Sequence, residues 1–336
     1  MKHISEGLAS RGFLVEVLTT DSKGCLAKEE SVGGVKVRRL RSWAPDDAFF
    51  FSPALAKAAR KTDADIMHVH GFQSLPAPTA ILFAKQTQKL VFTLHSAGSS
   101  SCVRLGLRMP YNIAMSRIVR NVDRIICVSK FEFEYFRRLL NLPTHRFEVI
   151  PNGINTNEFE ALHKNRSSNG RVLLYAGRLE KYKGIHYVIR ALPRLDEQVR
   201  LEIVGKGPFK NELSKLVETL GVGDRVKFYQ DLSREQLLRK YSEADLFVLL
   251  SEYESYGIVV AEALASGTAC LVAARSGLTE WIDNENCFGI NYPIDLNQLS
   301  TAISEVAGRK ARNPRPLDWD DVTNTLIDVY EEIVRK

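Results

Sequence analysis

The sequence predicts an α/β protein made of two Rossmann-like, doubly wound domains. Three observations predict it. Short apolar runs alternate with helical patterns throughout the chain, which reads as parallel strands joined by crossover helices. The length, 336 residues, exceeds what one hydrophobic core usually organises. One polar stretch, 155–170, breaks the alternation and ends in Asn-Arg-Ser-Ser-Asn-Gly, a linker composition. The expected organisation is an N-terminal domain over 1–154, a linker over 155–170, a C-terminal domain over 171–318 and a closing helix over 319–336. Two such domains are expected to face each other across a cleft, with ligands off the carboxyl ends of the strands.

The elements follow in order. Met1-Lys-His-Ile-Ser-Glu-Gly7 starts as an amphipathic helix, without a signal-peptide layout. Leu14–Thr19, Val35–Leu40, Ile66–His70, Leu90–His95, Arg124–Val128 and Phe147–Ile150 are apolar runs of strand length, and Glu134–Leu140 is a helical stretch between the last two. Asp63-Ala-Asp65 has a spacing used for divalent metals, but it precedes a strand and reads as a helix-to-strand turn. Beyond the linker, Arg171–Ala176, Arg200–Val204, Val226–Tyr229, Asp245–Leu250 and Ala269–Ala273 are strands. Gly184–Leu192, Lys210–Leu220 and Arg234–Ser242 are helices between them. Trp319–Lys336 places Val322, Leu326, Val329, Tyr330 and Ile333 on one helical stripe, with Asp320 and Asp321 suited to the positive end of its dipole.

Composition narrows the class. At 45% hydrophobic and 26% charged residues, the chain has ordinary soluble globular usage. No apolar run approaches the ~18–20 residues of a membrane span. Cysteines at 25, 102, 127, 270 and 287 are scattered and odd in number, with no CxxC, which argues against a disulfide framework or a zinc site and fits a reducing cytoplasm. Residues 1–150 carry 22 Lys and Arg against 13 Asp and Glu, whereas the remainder carries 24 against 27. A basic first half points to an anionic partner, a membrane surface or phosphorylated substrate among them, or simply to a solvated basic surface. Arg104, Arg108, Arg117 and Arg120 interleave with apolar residues. They describe either a surface helix for anionic lipid or a helix packed on its own sheet with solvated arginines. Pro110 is expected to divide that helix or to start its second part.

The densest signal lies at Ser251–Gly267. The strand Asp245–Leu250 runs into a polar loop, and Gly257 then opens a helix that carries Glu262. Free N–H groups and the positive helix end make such a loop an anion site, with the backbone of Gly257, Ile258 and Val259 at its mouth. Glu254 precedes that site and Glu262 follows it, which suits a ligand with a central diphosphate and hydroxyl-bearing groups at both ends. The spacing also suits acid/base partners flanking a glycosidic bond. At another strand end, Gly177 and Gly184 permit tight turns while Arg178 and Lys183 supply two cations for phosphate oxygens. Gly205-Lys-Gly207 is a plain turn or a ligand cradle, and lacks the third glycine of a dinucleotide fingerprint. Tyr229, Gln230 and Asp231 end a strand where backbone groups can meet a nucleobase. His95 closes its strand beside a Ser/Gly loop and either reaches the cleft or serves the structure. His68 and His70 share one strand face, with no third metal ligand nearby.

Together these motifs resemble retaining glycosyltransferase family four, with its GT-B fold, over nearly the whole chain and most specifically in the second half. The carriers are Gly177-Arg-Leu with Lys183-Gly184, Pro151-Asn-Gly-Ile-Asn155, Tyr241-Ser-Glu-Ala-Asp245 with Glu254-x7-Glu262, then Gly277, Glu280 and Gly289, and Thr93-Leu-His95. The resemblance implies that Glu262 holds the ribose of a nucleotide diphosphate sugar. It places Arg178, Lys183 and the backbone of Gly257, Ile258 and Val259 on the diphosphate, with Gly177 at that strand end. Glu254 and His95 fall on the transferred sugar, and Gly205 with Tyr229, Gln230 and Asp231 near the base. The implied reaction retains anomeric configuration, needs no metal or other cofactor, and passes the sugar to a hydroxyl acceptor: a glycan, a glycolipid or a lipid-linked group. A peripheral place on the inner face of an anionic membrane is expected, and nucleic acid is not an expected partner. Thr268-Ala-Cys270 departs from the proline and valine usual after Gly267. The family's first strand and glycine-rich loop have no counterpart ahead of the helix that begins near His3. That departure keeps a non-catalytic nucleotide-sugar-binding protein as the alternative, while the missing dinucleotide fingerprint disfavours an oxidoreductase.

Overall fold

The computed structural model describes residues 1–43, 51–95, 102–160, 171–312 and 316–335. They form two compact units, one built from 1–95, 102–153 and 319–335, the other from 154–160, 171–312 and 316–318. The second part of the expected linker, 161–170, lies outside the described residues, and its first part contains the short helix Asn157–Glu160.

The first unit opens with helix α1 (Lys2–Ser10), followed by strands β1 (Glu16–Asp21), β2 (Glu29–Val32) and β3 (Val35–Arg41). These make a sheet of order β1-β3-β2, parallel between β1 and β3 and antiparallel between β3 and β2. After α2 (Pro53–Lys61) come β4 (Ile66–His70), α3 (Pro76–Phe83), β5 (Lys89–Thr93), α4 (Cys102–Ile118), β6 (Arg124–Cys127), α5 (Lys130–Leu140) and β7 (Phe147–Val149). Their sheet is wholly parallel, in the order β4-β5-β6-β7. Both faces of this sheet are covered, which explains its continuous apolar strands. On β5, Leu90 and Phe92 pack with Phe72, Met115, Val119 and Phe136 on one face. Val91 points the other way, onto Leu8 of α1 and the Val322, Leu326, Val329, Tyr330 and Ile333 stripe of the last helix.

Strand β2 was not expected from the sequence, and two further details differ from the expectation. Helix α4 continues through Pro110 without a break. A proline costs one intrahelical hydrogen bond, and the turns beyond it are held from outside. Met115 and Val119 are fully buried, and the Tyr111 hydroxyl donates to the carbonyls of Phe72 and Ser74. Arg117 and Arg120 are exposed, as a helix packed on its own sheet requires, and the side chains of Arg104 and Arg108 lie outside the described residues. Strand β5 also ends at Thr93, before the expected end at His95, which adopts φ 44°.

In the second unit, β8 (Val172–Ala176), α7 (Ile185–Ala191), β9 (Arg200–Val204), α8 (Lys210–Thr219), β10 (Val226–Tyr229), α9 (Arg234–Glu243), β11 (Leu246–Leu249), α10 (Ile258–Ala265), β12 (Cys270–Ala273), β13 (Cys287–Ile290) and α11 (Leu296–Val306) alternate regularly; the short helix Asn157–Glu160 counts as α6. The sheet has the order β10-β9-β8-β11-β12-β13 and every pairing is parallel. Strand order reverses between β8 and β11, so this is a doubly wound sheet with a topological switch point there. The chain then ends in α12 (Trp319–Arg335), which belongs to the first unit.

The amino ends of β8 and β11 are tied by a buried carboxylate. Asp245 accepts from the Val172 N–H at 2.8 Å, and its own N–H donates to the Val172 carbonyl at 2.8 Å. An Asp245→Ala variant leaves that N–H without its side-chain acceptor in a dry site. It is expected to lose about 1–3 kcal/mol of unfolding free energy, measured by urea denaturation with the slope unchanged. Full retention of stability would remove this clamp from the account.

Candidate functional site

The carboxyl ends of β8 and β11 carry the charged residues singled out by the sequence. Leaving β8, the chain passes Gly177 and Arg178 and makes a single 3-10 turn over Lys181–Lys183 before α7. Leaving β11, it passes Glu254 and enters α10 at Gly257. The two exits meet: the Lys183 ammonium donates to Glu254 Oε2 at 2.5 Å, and both side chains are largely buried. The loop holding Glu254 is itself fixed. Its N–H donates to Ser276 Oγ at 2.9 Å, and its carbonyl accepts from the Gly277 N–H at 2.9 Å. Arg178 is mostly exposed and gives one guanidinium nitrogen to Glu180 at 2.9 Å. The rest of its fork remains for another acceptor.

Gly257 is the N-cap of α10 and has φ 86°. A Cβ there would stand 2.9 Å from Leu278 Cδ2, so glycine serves both the left-handed backbone and the close packing. No side chain caps this helix end. The first N–H groups of the helix, at Ile258 and Val259, have no intrahelical acceptor and present positive potential beside Glu254. Glu262 lies further along α10. Its Oε1 accepts from Arg234 at 2.6 Å and its Oε2 from the Tyr241 hydroxyl at 3.0 Å. Arg234 is held in turn by Glu158 at 2.8 Å. An ionised carboxylate has about four acceptor positions, so both oxygens retain capacity for ligand hydroxyls.

The strand ends of β9 and β10 form a second polar corner. The Gly205 N–H donates to the Tyr229 carbonyl at 3.0 Å, and Lys206 pairs with Asp231. A Cβ at Gly205 would lie 1.9 Å from the Gly177 carbonyl oxygen, so only glycine lets the β8 and β9 exits approach this closely. Tyr229 turns its hydroxyl to Glu202 at 3.0 Å, while Gln230 and Asp231 are exposed. Thus the second unit brings Gly177, Arg178, Lys183, Glu254, Gly257, Ile258, Val259 and Glu262 to adjoining strand ends, with Gly205 and Tyr229–Asp231 beside them. Arg234, Glu158 and Ser276 complete this arrangement and were not read from sequence. Arg234 follows the N-cap Ser233 and looks like an ordinary first-turn residue. Its partner stands 28 positions away, with no local pattern connecting them.

His95 belongs to the first unit. Its Nε2 lies 3.2 Å from Nδ1 of His70, and His70 stacks on His68 with ring centroids 4.1 Å apart. His68 uses both ring nitrogens, on the Tyr330 hydroxyl at 2.6 Å and the Thr93 hydroxyl at 2.7 Å, so no lone pair is left for a metal. Burial pushes His68 down to about 3 and His95 down to about 4, and holds His70 well below the usual imidazole range. His186 in the second unit is also pushed down to about 4, by burial and by the nearby Arg190 and Lys181 charges.

Comparison with known proteins bears on both halves. Residues 1–158 match the family model described as Glycosyltransferase Family 4, and residues 157–307 match the one described as Glycosyl transferases group 1. An uncharacterized glycosyltransferase of Methanocaldococcus jannaschii is 27% identical over 98% of this chain and 92% of its own length. GDP-mannose:cellobiosyl-diphosphopolyprenol alpha-mannosyltransferase of Xanthomonas oryzae pv. oryzae is 26% identical, over 96% of this chain and 89% of its own. Among solved structures, sucrose-phosphate synthase from Thermosynechococcus elongatus superposes with a TM-score of 0.83 at 23% identity, covering 99% of this chain and 92% of that one. That likeness fixes the fold as GT-B.

The buried neutral histidines make stability pH-dependent. Their folded pKa values lie below the unfolded value of about 6.5, so the unfolded state binds more protons between those limits. Their contribution is complete above about pH 6.5 and is lost as pH falls toward the folded values near 4. The melting temperature should therefore drop already between about pH 6.5 and 5, above the usual carboxylate range. A flat melting profile across that window would contradict the burial of neutral imidazoles.

Proposed function

The chain belongs to glycosyltransferase family four, whose members move sugars from nucleotide sugars, and we propose that it does so with retention of configuration and without a metal ion. The observation that carries this reading is the meeting of Lys183, Glu254 and the uncapped start of α10 at the switch point of the second sheet. A nucleotide diphosphate leaving group gathers negative charge as its bond to the sugar breaks. Lys183, Arg178 and the N–H groups of Ile258 and Val259 are positioned to stabilise that charge, the work a metal ion does elsewhere. An ammonium has three N–H donors, so Lys183 can keep Glu254 and still reach a phosphate oxygen. Glu254 then faces the sugar, and Glu262, oriented by Arg234 and Tyr241, takes the ribose hydroxyls. The corner at Gly205, Tyr229, Gln230 and Asp231 takes the base, and His95 is assigned to the transferred sugar.

The acceptor we propose is a hydroxyl group on a lipid-linked or membrane-borne molecule. Two observations support it. The Xanthomonas relative acts, by its name, on a diphosphopolyprenol-linked sugar. Helix α4 exposes the apolar Met109 and Ile113 together with Arg117, the makings of a weak lipid-facing surface. No helix among the described residues is long and apolar enough to cross a membrane, so the contact proposed is peripheral.

Four measurements test these proposals. With UDP-, GDP- and ADP-sugars screened as donors, Lys183→Ala should lower kcat/KM by roughly 10²–10³-fold. Glu262→Ala should act mainly through donor KM. The anomeric proton of the product should show the donor's configuration, and EDTA should leave the rate unchanged. An inverted product, or activity abolished by EDTA and restored by a divalent ion, would overturn the corresponding part. On anionic liposomes the protein should pellet at low salt and release as salt rises, with Arg117→Glu weakening the binding. No pelleting at low salt would remove the membrane proposal.

A further inference from the structure

Helices α7 and α8 pack against each other and leave a cavity of about 480 Å³ between them. None of the residues assigned to the donor lines it. Its inner wall is aromatic and apolar. His186 and Tyr187 come from the start of α7, Phe209 caps α8, and Leu213 and Leu216 follow on α8. His186 meets Phe209 edge to face, with ring centroids 5.8 Å apart. Three exposed cations surround this wall: Lys181 on the turn before α7, Arg190 in the last turn of α7 and Lys215 on α8. A single carboxylate, Glu212, stands among them.

Two observations separate this cavity from an ordinary solvated groove. The first is His186. The residue is only 8% exposed, and neither ring nitrogen has a hydrogen-bond partner among the described residues. Buried polar side chains are nearly always bonded, so this imidazole offers a hydrogen-bonding position that the protein does not fill itself. Its Nδ1 is sealed from solvent, which leaves Nε2 on the open side of the ring. The second observation is the charge. Among the described residues none of the three cations enters an ion pair, although Glu212 shares the rim. After burial, the Arg190 and Lys181 charges are what push His186 down to about 4, so both act at close range. The chain beyond residue 150 is net acidic, with 24 Lys and Arg against 27 Asp and Glu, so the cluster is no sample of a general basic excess.

We propose that the cavity between α7 and α8 is a second ligand site, built for the phosphate monoester of a sugar. The Arg190 guanidinium can fork onto two phosphate oxygens, while Lys181 and Lys215 add point charges. A sugar ring carries apolar C–H faces that suit Phe209 and Leu216, and hydroxyls at its edge that suit Nε2 of His186. A hydroxyl both donates and accepts, so it serves that nitrogen whichever one carries the ring proton. The site is separate from the donor pair. Lys181 and Lys183 share one turn, but Lys183 is bound to Glu254 and Lys181 lines the cavity.

The test follows His186 itself. The full chain labelled with 15N-histidine is titrated near neutral pH with mannose 6-phosphate, inorganic phosphate and mannose. The His186 signals are identified by their loss in His186→Phe. Mannose 6-phosphate at millimolar concentration should move them saturably and leave those of His95 in place. Inorganic phosphate should bind about 10-fold or more weakly, and mannose without saturation. Arg190→Glu and Lys215→Glu, both on exposed side chains, should each weaken the ester about 10-fold or more. Lys227→Glu, an exposed lysine that does not line the cavity, should leave its affinity unchanged. If His186→Phe does not fold, calorimetric affinities of the charge variants decide alone. Unmoved His186 signals, movement at His95 instead, or wild-type affinity in Arg190→Glu overturns the proposal. Equal affinity for inorganic phosphate and the ester overturns its sugar part.

Discussion

The reversal of strand order between β8 and β11 is the constraint on which the chemistry of the second unit depends. The chain leaves β8 toward β9 on one side, and leaves β11 toward β12 on the other. Right-handed crossovers put the two following helices on opposite faces of the sheet. Helix α7 packs with α8 and α11, while α10 packs with α9. The two loops therefore diverge, and the space above the carboxyl ends stays open instead of being crossed by a connection. Asp245 ties the same two strands at their amino ends, so their opposite ends arrive in fixed register. Lys183 and Glu254, 71 positions apart in sequence, meet there because each follows one of the two strands.

That placement decides how charge is distributed. An isolated ammonium or carboxylate in so buried a position would be strongly penalised, and pairing reduces the cost for both. The pair also fixes the Lys183 ammonium at the end of the Glu254 side chain. Glu262 is handled differently. It lies deeper in α10, and a hydroxyl together with a guanidinium anchored by Glu158 fix its two oxygens. Two carboxylates eight residues apart thus have separate partners and separate surroundings. A pair working as acid and base on one bond would need pKa values driven apart by environment. Separate anchoring suits grips on different parts of one extended molecule.

The alternation of the second unit was legible in sequence because its strands are buried on both faces and therefore continuously apolar. Leu246–Leu249 and Cys270–Ala273 are buried at every position. The loop with Glu254 and Glu262 was legible because glycine, carboxylates and a helix start coincide within a few residues. What escaped has the opposite character. Strand β2, Glu29-Glu-Ser-Val32, is mostly exposed and reads as polar loop; only the Gly33-Gly34 dipeptide that turns it back onto β3 marks a hairpin. The continuity of α4 through Pro110 is decided by what Tyr111, Met115 and Val119 pack against, which a local rule for proline does not see. Arg234 escaped for the same reason, since both of its partners, Glu158 and Glu262, stand on other helices.

The histidines of β4 show how a periodic signal is read correctly while the partners of its side chains stay hidden. Their spacing does place them on one face, and metal binding was the natural question to ask of it. The answer lies in Tyr330, contributed by the helix that closes the chain 262 residues later. Its hydroxyl and that of Thr93 occupy both nitrogens of His68, which turns a possible ligand into a wedge between α12 and the sheet. The same helix buries Val322, Leu326 and Ile333 against Leu8 and Val91. A terminal helix that looks like simple covering for a sheet therefore also sets the geometry of an imidazole series ending at His95.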